Sequence, residues 1–302
     1  MTGAGVIYLL DASIYVFRAY YALPAEMVDR DGNPANAVFG FARMLCDLLE
    51  RARPKYIAVG FDHSLTGSFR TRLYPAYKAN RAPAPPGLPL QFERCFELVG
   101  LLGLTAIGNP DYEADDILGT LAWRMRSSGI RATFLTRDKD FTQLVREGDV
   151  LWDYGSRDPQ SYADVARRFG VAPERFADYL ALTGDAVDNI PGVPGIGPKT
   201  AAILMREFAS LDELYGGLAR IEALPVRSPA VVRSRLEEYR ESAYLARRLT
   251  AIACDMPLAI GGDALCPRAP DAAGLERFFD AQRFGPLLRR QVERLAGVAP
   301  AA

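Results

Sequence analysis

The sequence is short of several residue types and features, and each shortage excludes a class of protein. It contains a single histidine, His63, and four cysteines without a Cys-x-x-Cys spacing, so neither a zinc site nor a disulfide framework is expected. No apolar run approaches membrane-spanning length, and the first one, residues 6–10, is too short for the apolar core of a signal peptide. We therefore expect a cytoplasmic protein without membrane contact, whose cysteines are reduced thiols.

An excess of charge of either sign is also missing. The net charge of the 302 residues is −1, which predicts no general affinity for polyanions. One segment differs, because residues 63–92 contain no acidic residue. Basic side chains neutralise phosphates and aromatic rings stack on bases, so this segment favours a contact with nucleic acid over a merely solvated loop. The residues behind this interpretation are Arg70, Arg72, Lys78 and Arg81, with Tyr74 and Tyr77 between them.

Short apolar runs alternate with helical patterns through the first part of the chain. Runs that are apolar throughout suit strands buried on both faces, so the alternation predicts an α/β fold with a parallel sheet between helices. The strand-like runs are residues 6–10, 56–61 and 132–136, and the helical patterns are 36–51, 90–102 and 113–127. Later helical patterns cover residues 201–208, 231–250 and 275–296. We predict two domains, 1–175 and 176–302.

Carboxylates follow the predicted strands. The carboxyl ends of parallel strands meet at one edge of a sheet, where ligands bind. One aspartate there is usually a turn or capping residue, but acids after three strands exceed that explanation. Two like charges ~4 Å apart repel by about 4 kcal/mol at an effective dielectric constant of 20, so a bound cation would stabilise the cluster. The candidate ligands are Asp11, Asp62, Glu113, Asp115, Asp116, Asp138 and Asp140, with Asp185 and Asp188 from the helical region.

The chemistry of this cluster indicates hydrolysis of phosphate esters. An oxygen-only ligand set favours Mg²⁺ or Mn²⁺. One ion would lower the pKa of a bound water, and a second, ~3.5–4 Å away, would stabilise the leaving oxygen. Lys78 or Arg81 would offset the charge that develops on the phosphate. His63 is a lone histidine in a loop, and we do not expect it to be the general base.

The stretch GVPGIGPKT, residues 192–200, is close to a phosphate-binding P-loop but differs from it. Pro198 removes a backbone N–H that a P-loop needs, and a proline-containing turn precedes the stretch instead of a strand. A helix–hairpin–helix fits better, with a first helix at 176–182 and a second that begins at Pro198. Such a turn binds the sugar-phosphate backbone without reading bases. The candidate contacts are Gly192, Gly195, Gly197, Lys199 and Thr200.

Five motifs, in order, give the chain a resemblance to a known family. They are LLDASIYVFRAYYALP, FDHSLTGSFRTRLYPAYKANRAP, YEADDILGTLA, LTRDKDFTQLV and LTGDAVDNIPGVPGIGPKTA, beginning at residues 9, 61, 112, 135 and 182. The chain resembles the 5′ nucleases, which comprise the 5′–3′ exonuclease domain of bacterial DNA polymerase I, its stand-alone relatives and the flap endonucleases. The match covers nearly the whole chain.

The resemblance implies a fold and a set of site residues. The fold is PIN-like, a mostly parallel sheet flanked by helices, with a helical arch at about 64–95 and a C-terminal helix–three-turn–helix DNA-binding region. The nine carboxylates above correspond to the ligands of two Mg²⁺ or Mn²⁺ ions. Arg18, Arg70, Lys78 and Arg81 correspond to the basic residues around the scissile phosphate. The carbonyls of Val193 and Ile196 correspond to a K⁺ site at the hairpin.

The implied activity is that of a structure-specific 5′–3′ exonuclease and flap endonuclease in DNA replication and repair, including primer removal. The expected substrates are DNA flaps and 5′ ends, with some reach to RNA–DNA hybrids, for a monomer associated with the bacterial nucleoid. A junction-binding protein without hydrolysis is the alternative, although the acids are complete. A PIN-type ribonuclease would lack the DNA-binding half, and an ATPase would need the P-loop. Polymerase and ligase partners, and the balance between exonuclease and endonuclease activity, stay open.

Overall fold

The computed structural model describes residues 5–63, 67–155 and 157–297, and is built around one six-stranded sheet. The strand order is β3-β2-β1-β4-β5-β6, and all neighbours are parallel except β5 and β6. The predicted α/β fold with a mostly parallel sheet is therefore confirmed. The strands are β1 (Val6–Asp11), β2 (Tyr56–Asp62), β3 (Thr105–Asn109), β4 (Arg131–Leu135), β5 (Val150–Trp152) and β6 (Gln160–Ser161).

Helices cover both faces of the sheet, as the apolar strands require. The helices are α1 (Ala12–Ala22), α2 (Asn36–Ala52), α3 (Phe69–Leu73), α4 (Leu88–Leu101), α5 (Ala114–Arg126), α6 (Tyr162–Phe169), α7 (Phe176–Thr183), α8 (Pro198–Glu207), α9 (Leu211–Gly216), α10 (Pro229–Glu238), α11 (Arg240–Thr250), α12 (Ala272–Ala281) and α13 (Pro286–Gly297). Within the described part of the chain, no helix is both long and apolar enough to cross a membrane.

Alternate residues of β1 belong to two different hydrophobic cores. Leu10 packs with α1, α2 and α4 on one face, whereas Ile7 and Leu9 pack with α5 on the other. This is the two-residue period of a strand whose faces are both buried. A third core lies within the helical region and joins α7 to α11.

Each of the last two helices predicted from the sequence is divided into two in the structure. Residues 275–296 form α12 and α13 instead of one helix, and 231–250 is likewise divided into α10 and α11 at Tyr239. Phe279 of α12 and Leu288 of α13 pack into the core around α1, α2 and α4. The helical part of the chain thus does not pack as one unit, and the limits 1–175 and 176–302 remain a prediction.

Between residues 67 and 87, the segment predicted as a helical arch has little helix. Residues 64–66, at its beginning, lie outside the described residues. From residue 67 to residue 87, the five-residue α3 is followed by turns, and α4 begins at Leu88. Lys78 lies in these turns with a positive φ of 56°. The segment therefore follows the surface of the molecule as a compact series of turns.

Candidate active site and nucleic-acid interface

The acids that follow the strands lie at one edge of the sheet. Asp11 ends β1 and Asp62 ends β2, and these two strands and β4 are parallel neighbours. Asp62 Oδ1 accepts a hydrogen bond from the amide of Ala114 at 2.9 Å, which joins the end of β2 to the start of α5. Asp11 Oδ2 accepts one from Thr136 Oγ1 at 2.8 Å, which joins β1 to the residue after β4.

Acids from the helical region reach the same edge through shared partners. Lys139 forms ion pairs with Asp185 and, at 3.5 Å, with Asp140. The hydroxyl of Tyr77 lies 3.0 Å from Glu113 Oε2 and 3.4 Å from Asp188 Oδ2. We call the acids at this edge of the sheet, including Asp115 and Asp138, the acidic rim. Its members are Asp11, Asp62, Glu113, Asp115, Asp138, Asp140, Asp185 and Asp188.

Residues 74–87, the turns between α3 and α4, are called the turn segment. Its lysine and arginine side chains already neutralise part of the acidic rim. Lys78 Nζ lies 2.9 Å from Glu113 Oε2 and 3.9 Å from Asp188 Oδ2, and Arg81 forms an ion pair with Asp188. Burial by itself would raise the pKa of Glu113, but Lys78 and Arg70 outweigh it and hold that pKa below its ordinary value. Lys78 and Arg81 thus act as counter-ions to the acids, and their contact with a phosphate stays a prediction.

For other acids of the rim, burial and neighbouring acids outweigh the nearby cations. Burial, and then the charge of Asp62, raises the pKa of Asp11 to about 8. Burial and the charge of Asp138 raise the pKa of Asp140 to about 7. The pKa of Asp115 is raised well above its ordinary value by burial and by the adjacent Asp116. These carboxylates are held close to one another at a cost that a bound cation would remove.

The donor set of the rim fits a hard divalent ion. Its members offer carboxylate oxygens, the ligands that Mg²⁺ and Mn²⁺ prefer. Asp140 Oδ1 is buried and has no hydrogen-bond partner among the described residues. No three acidic, histidine or cysteine side chains of the described residues are gathered closely enough to hold a metal ion as they stand. Lys78, Arg81 and Lys139 hold several of these carboxylates, so ion binding requires those ion pairs to rearrange.

Arg70 and Asp116 do not have the positions expected of a phosphate contact and a metal ligand. Arg70 is 1% exposed, and its guanidinium pairs with both oxygens of Asp116 at 2.7 and 2.8 Å. Asp116 is fully buried and also accepts hydrogen bonds from the amides of Glu113 and Ala253, at 3.1 and 2.7 Å. With both oxygens engaged, Asp116 has no free face for an ion. The predicted roles of these two residues are corrected to a buried ion pair.

Two further predicted contacts also lie elsewhere than expected. Tyr77 is buried, and its ring is covered by Lys78 Nζ 4.8 Å from the centroid, so it cannot stack on a base in this arrangement. Tyr74 is half-buried and packs against the helical core. Arg18 pairs with Asp153 and donates to the carbonyl of Tyr154 at 3.0 Å, beyond the end of β5. Arg18 therefore makes no direct contact with the acidic rim.

The turn segment is fastened to the loop between α7 and α8 by polar contacts that the sequence did not reveal. The Lys78 amide donates to the carbonyl of Asp188 at 2.9 Å. Asn80 Nδ2 donates to the carbonyl of Ala186 at 2.9 Å, and Asn189 Nδ2 to that of Ala76 at 2.7 Å. Asn189 has a φ of 55°, a left-handed conformation that asparagine tolerates. The positions of Lys78 and Arg81 thus depend on the loop that carries Asp185 and Asp188.

The helix–hairpin–helix has the predicted form, with α7 ending at Thr183 and α8 beginning at Pro198. Gly195 has a φ of 85° and open space around it, and Gly197 and Lys199 are exposed. Gly192 differs, because a Cβ there would lie 2.4 Å from the Gly184 nitrogen. Gly192 is required for close packing of the loop. Thr200 is half-buried, the side chains of Val193 and Ile196 are buried, and the Val193 carbonyl accepts the Ile196 amide at 3.0 Å.

A basic hollow lies beside the acidic rim. It has a volume of about 150 Å³, and Asp138 forms part of its wall. Arg137, Arg157 and Arg168 also line it, and all three are exposed. No ion pair of the side chains of Arg137 and Arg157 is present within the described part of the chain. Sequence analysis missed these arginines because they are far apart along the chain.

Comparison with known proteins identifies the family. Residues 6–170 match the family described as 5′–3′ exonuclease, N-terminal resolvase-like domain, and residues 171–273 match 5′–3′ exonuclease, C-terminal SAM fold. The chain belongs to the 5′–3′ exonuclease family. The predicted family is thereby confirmed, and the C-terminal helices have the SAM-like fold of this family.

Two relatives show how the chain compares in length with known proteins. It is 40% identical to a thermostable DNA polymerase I of Thermus filiformis over 283 residues, 93% of this chain and 32% of that protein. The chain thus spans about a third of the length of such DNA polymerase I relatives. It is 32% identical to a 5′–3′ exonuclease of Buchnera aphidicola over 255 residues, 84% of this chain and 88% of that one.

Solved structures share the fold at lower identity. T5 5′-exonuclease with bound divalent metal ions (zinc) matches with a TM-score of 0.65 and 18% identity, over 97% of this chain and 99% of that one. A complex of T5 D15 flap endonuclease with DNA and metal ions matches with a TM-score of 0.63 and 18% identity, over 97% and 99%. The chain therefore has the fold of the flap nucleases.

Proposed function

We propose that this protein is a structure-specific 5′–3′ exonuclease and flap endonuclease, which hydrolyses phosphodiester bonds at 5′ ends and flaps of DNA. The observation that carries the proposal is the acidic rim, where carboxylates from three parallel strands, α5 and the α7–α8 loop converge beside a basic segment. Membership of the 5′–3′ exonuclease family supports it. The role in replication and repair, with removal of primers, follows from the same family.

We propose Mg²⁺ or Mn²⁺ at two positions of the rim. Bound divalent ions would supply a water of lowered pKa and would stabilise the leaving oxygen. One group of ligands would come from the strand ends and α5, and the other from the residues after β4 and from the α7–α8 loop. The first group is Asp11, Asp62, Glu113 and Asp115, and the second is Asp138, Asp140, Asp185 and Asp188.

Lys78 and Arg81 have a second task in this scheme. When the acids are neutralised by ions, the two side chains lose their electrostatic hold on Glu113 and Asp188 and become available to the substrate. They then neutralise charge on the scissile phosphate, a preorganised stabilisation of the transition state. Because Lys78 is fixed through its amide to Asp188, its side chain stays within reach of the rim in both states.

The DNA interface extends from the rim in two directions. The exposed Gly195, Gly197 and Lys199, together with Thr200, would contact the backbone of the duplex at the start of α8. A K⁺ ion held by the carbonyls of Val193 and Ile196 would add to this contact. On the other side, Arg137 and Arg157 of the basic hollow would contact phosphates of the strand that passes Asp138.

The oligomeric state, the range of substrates and the cellular location are also part of the proposal. We propose that the protein acts as a monomer on DNA, with some activity on RNA hybridised to DNA, in the cytoplasm at the bacterial nucleoid. The division between catalytic and DNA-binding parts is placed near residue 175. The competing function is binding of DNA junctions without hydrolysis, which requires that the rim bind no catalytic ions.

One experiment separates hydrolysis from binding alone. A 5′-labelled DNA flap is incubated with the protein in Mg²⁺ and in EDTA, and with the Asp138→Asn variant in Mg²⁺. We expect cleavage near the single-strand/double-strand junction in Mg²⁺ only, lost in the variant, while a binding assay shows that the variant still binds the flap. Tight binding without cleavage in either Mg²⁺ or Mn²⁺ would establish the junction-binding alternative.

A further inference from the structure

Residues 249–253, which we call the tether segment, comprise the last two residues of α11 and the three that follow, and they have an unusual set of partners. Their backbone groups are bound by side chains of distant elements. Arg70 donates to the carbonyls of Leu249 and Ala251, at 2.9 and 2.7 Å. The Ala253 amide donates to Asp116 Oδ1 at 2.7 Å, which adds a partner from α5.

Gln143 is the residue that binds the tether segment from the other side of the acidic rim. Its Nε2 donates to the carbonyl of Thr250 at 2.9 Å, and its Oε1 accepts from the amide of Ile252 at 2.9 Å. Gln143 is buried and belongs to the 3₁₀ helix Lys139–Leu144, which contains Asp140 and is capped by Asp138. Both polar atoms of its side-chain amide thus form hydrogen bonds with the backbone of residues 250–252.

The tether segment also contacts the third part of the chain that carries rim acids. Thr250 Oγ1 donates to the carbonyl of Ala177 in α7 at 3.1 Å, and α7 leads into the loop with Asp185 and Asp188. On its opposite side the segment approaches α5 so closely that a Cβ on Gly119 would lie 2.8 Å from the side chain of Ile252. The tether segment therefore has contacts with α5, with the 3₁₀ helix Lys139–Leu144 and with α7.

We propose that Gln143 is a positioning residue for the ion site. Through the tether segment it holds the 3₁₀ helix with Asp138 and Asp140 in a fixed relation to α5 with Glu113 and Asp115. The proposal rests on the function proposed above, because it assumes that divalent ions bind at the rim. Side chains that hydrogen-bond to metal ligands commonly change ion affinity 10- to 100-fold when removed, and we take the same range for Gln143, which acts on the ligands through the backbone.

The chain offers a matched control in Gln91. This glutamine is also fully buried, accepts from the amides of Ala37 and Val38 at 2.7 and 3.3 Å, and donates to Asn36 Oδ1 at 3.1 Å. Its contacts join α4 to the start of α2 and include none of the acid-bearing elements. Loss of buried hydrogen bonds destabilises the fold in either case, but only Gln143 is expected to change ion binding.

The experiment uses the whole protein with Gln143→Leu, Gln143→Glu and Gln91→Leu. The first readout is the rise in Tm when MnCl₂ replaces EDTA, which reports ion binding without turnover. The second is the Mn²⁺ concentration that gives half-maximal flap cleavage. For Gln143→Leu we expect a smaller Tm rise and a half-saturating concentration raised about 10- to 100-fold. Gln91→Leu should match wild type in both readouts, despite a similar loss of Tm in EDTA.

The Gln143→Glu variant keeps the experiment decisive if Gln143→Leu does not fold. It preserves shape and the acceptor for Ile252, but turns the atom facing the Thr250 carbonyl from a donor into an acceptor. We expect an intermediate effect on ion affinity. Equal Mn²⁺ responses of the folded Gln143 variants and Gln91→Leu would overturn the positioning role while leaving the proposed function intact. A wild-type protein without any Mn²⁺-induced rise in Tm would contradict the ion site itself, and the inference with it.

Discussion

Two sides of the acidic rim contain the same kinds of residue in opposite electrostatic conditions. At the start of α5, Glu113 and Asp116 are paired with Lys78 and Arg70, and the pKa of Glu113 is below its ordinary value. At the ends of β1 and β4, acids face other acids, and the pKa of Asp11 is raised to about 8. Protein cations thus hold the pKa of Glu113 down on the first side, whereas burial and neighbouring acids raise the pKa of Asp11 on the second.

The contrast is sharpest between two adjacent residues of α5. Asp116 points inward to Arg70, while Asp115 has a pKa raised well above its ordinary value by burial and by Asp116. A helix turns by about 100° per residue, so neighbours in sequence face different surroundings. A motif with three acids in four positions therefore combines ligands for an ion with an acid that serves the fold.

The largest expected effect tests Asp115, the acid of α5 whose pKa is raised by burial and by Asp116. Asp115→Asn should reduce flap cleavage in Mg²⁺ by at least about a thousandfold, since the ion's contribution to the barrier is several kcal/mol. DNA binding measured in EDTA should stay close to that of wild type, because the substituted side chain faces the rim. Single-turnover kinetics with excess enzyme give the rate of the chemical step. Residual cleavage within tenfold of wild type would remove Asp115 from the ion site.

The second prediction tests the neighbouring acid and uses stability as the readout. Asp116→Asn should lower the free energy of unfolding in EDTA by about 3–5 kcal/mol, because Arg70 would be left buried without its anionic partner. Urea unfolding followed by circular dichroism measures this loss. Asp115→Asn provides the opposite case, and we expect it to stabilise the metal-free protein by relieving repulsion.

The buried pair itself is tested by a double-mutant cycle. Arg70→Met and Asp116→Leu should each destabilise the protein at least about as much as Asp116→Asn, since each leaves one charge unpaired. The combination Arg70→Met with Asp116→Leu should cost clearly less than the sum of its single substitutions, because no buried charge remains. Additive losses would show that the two side chains do not stabilise the fold as a pair.

The fold could be predicted from the sequence and the acids of the rim could be named from it, whereas roles decided by long-range partners could not. The alternation of apolar runs and helices suffices for the sheet, because strands buried on both faces allow few polar residues. The roles of Arg70 and Tyr77 could not be predicted from their basic and aromatic surroundings. Arg70 is buried because it reaches Leu249, a residue 179 positions later in the chain. No local pattern contains that contact.

The next prediction concerns Lys78, the cation that is paired with Glu113 at the start of α5. Lys78→Met should reduce kcat about 10²–10³-fold, the usual size of a lost charge-stabilising contact in a transition state. KM should change much less, because Lys78 is paired with Glu113 before substrate arrives. Arg72→Met is the matched control, since Arg72 pairs with Asp111, 2.8 Å away, and both side chains are exposed. Equal losses of kcat in Lys78→Met and Arg72→Met would show that Lys78 contributes only nonspecific positive charge.

The smallest effect is the dependence of stability on pH in the metal-free protein. Asp11 has a pKa of about 8 in the fold, against 3.8 as the ordinary value, so the folded state binds its proton more tightly than the unfolded chain does. Its contribution is therefore complete below about pH 4 and is lost as the pH rises towards 8. Asp11→Asn should flatten this fall and stabilise the protein in EDTA at pH 8 by about 1–2 kcal/mol, a gain limited by burial of the amide. Urea unfolding at pH 5 and at pH 8 measures both values. In Mn²⁺ the free energy of unfolding of the wild type should decrease much less between pH 5 and pH 8, because the ion stabilises the ionised Asp11 carboxylate. An unchanged decrease in Mn²⁺ would place Asp11 outside the ion site.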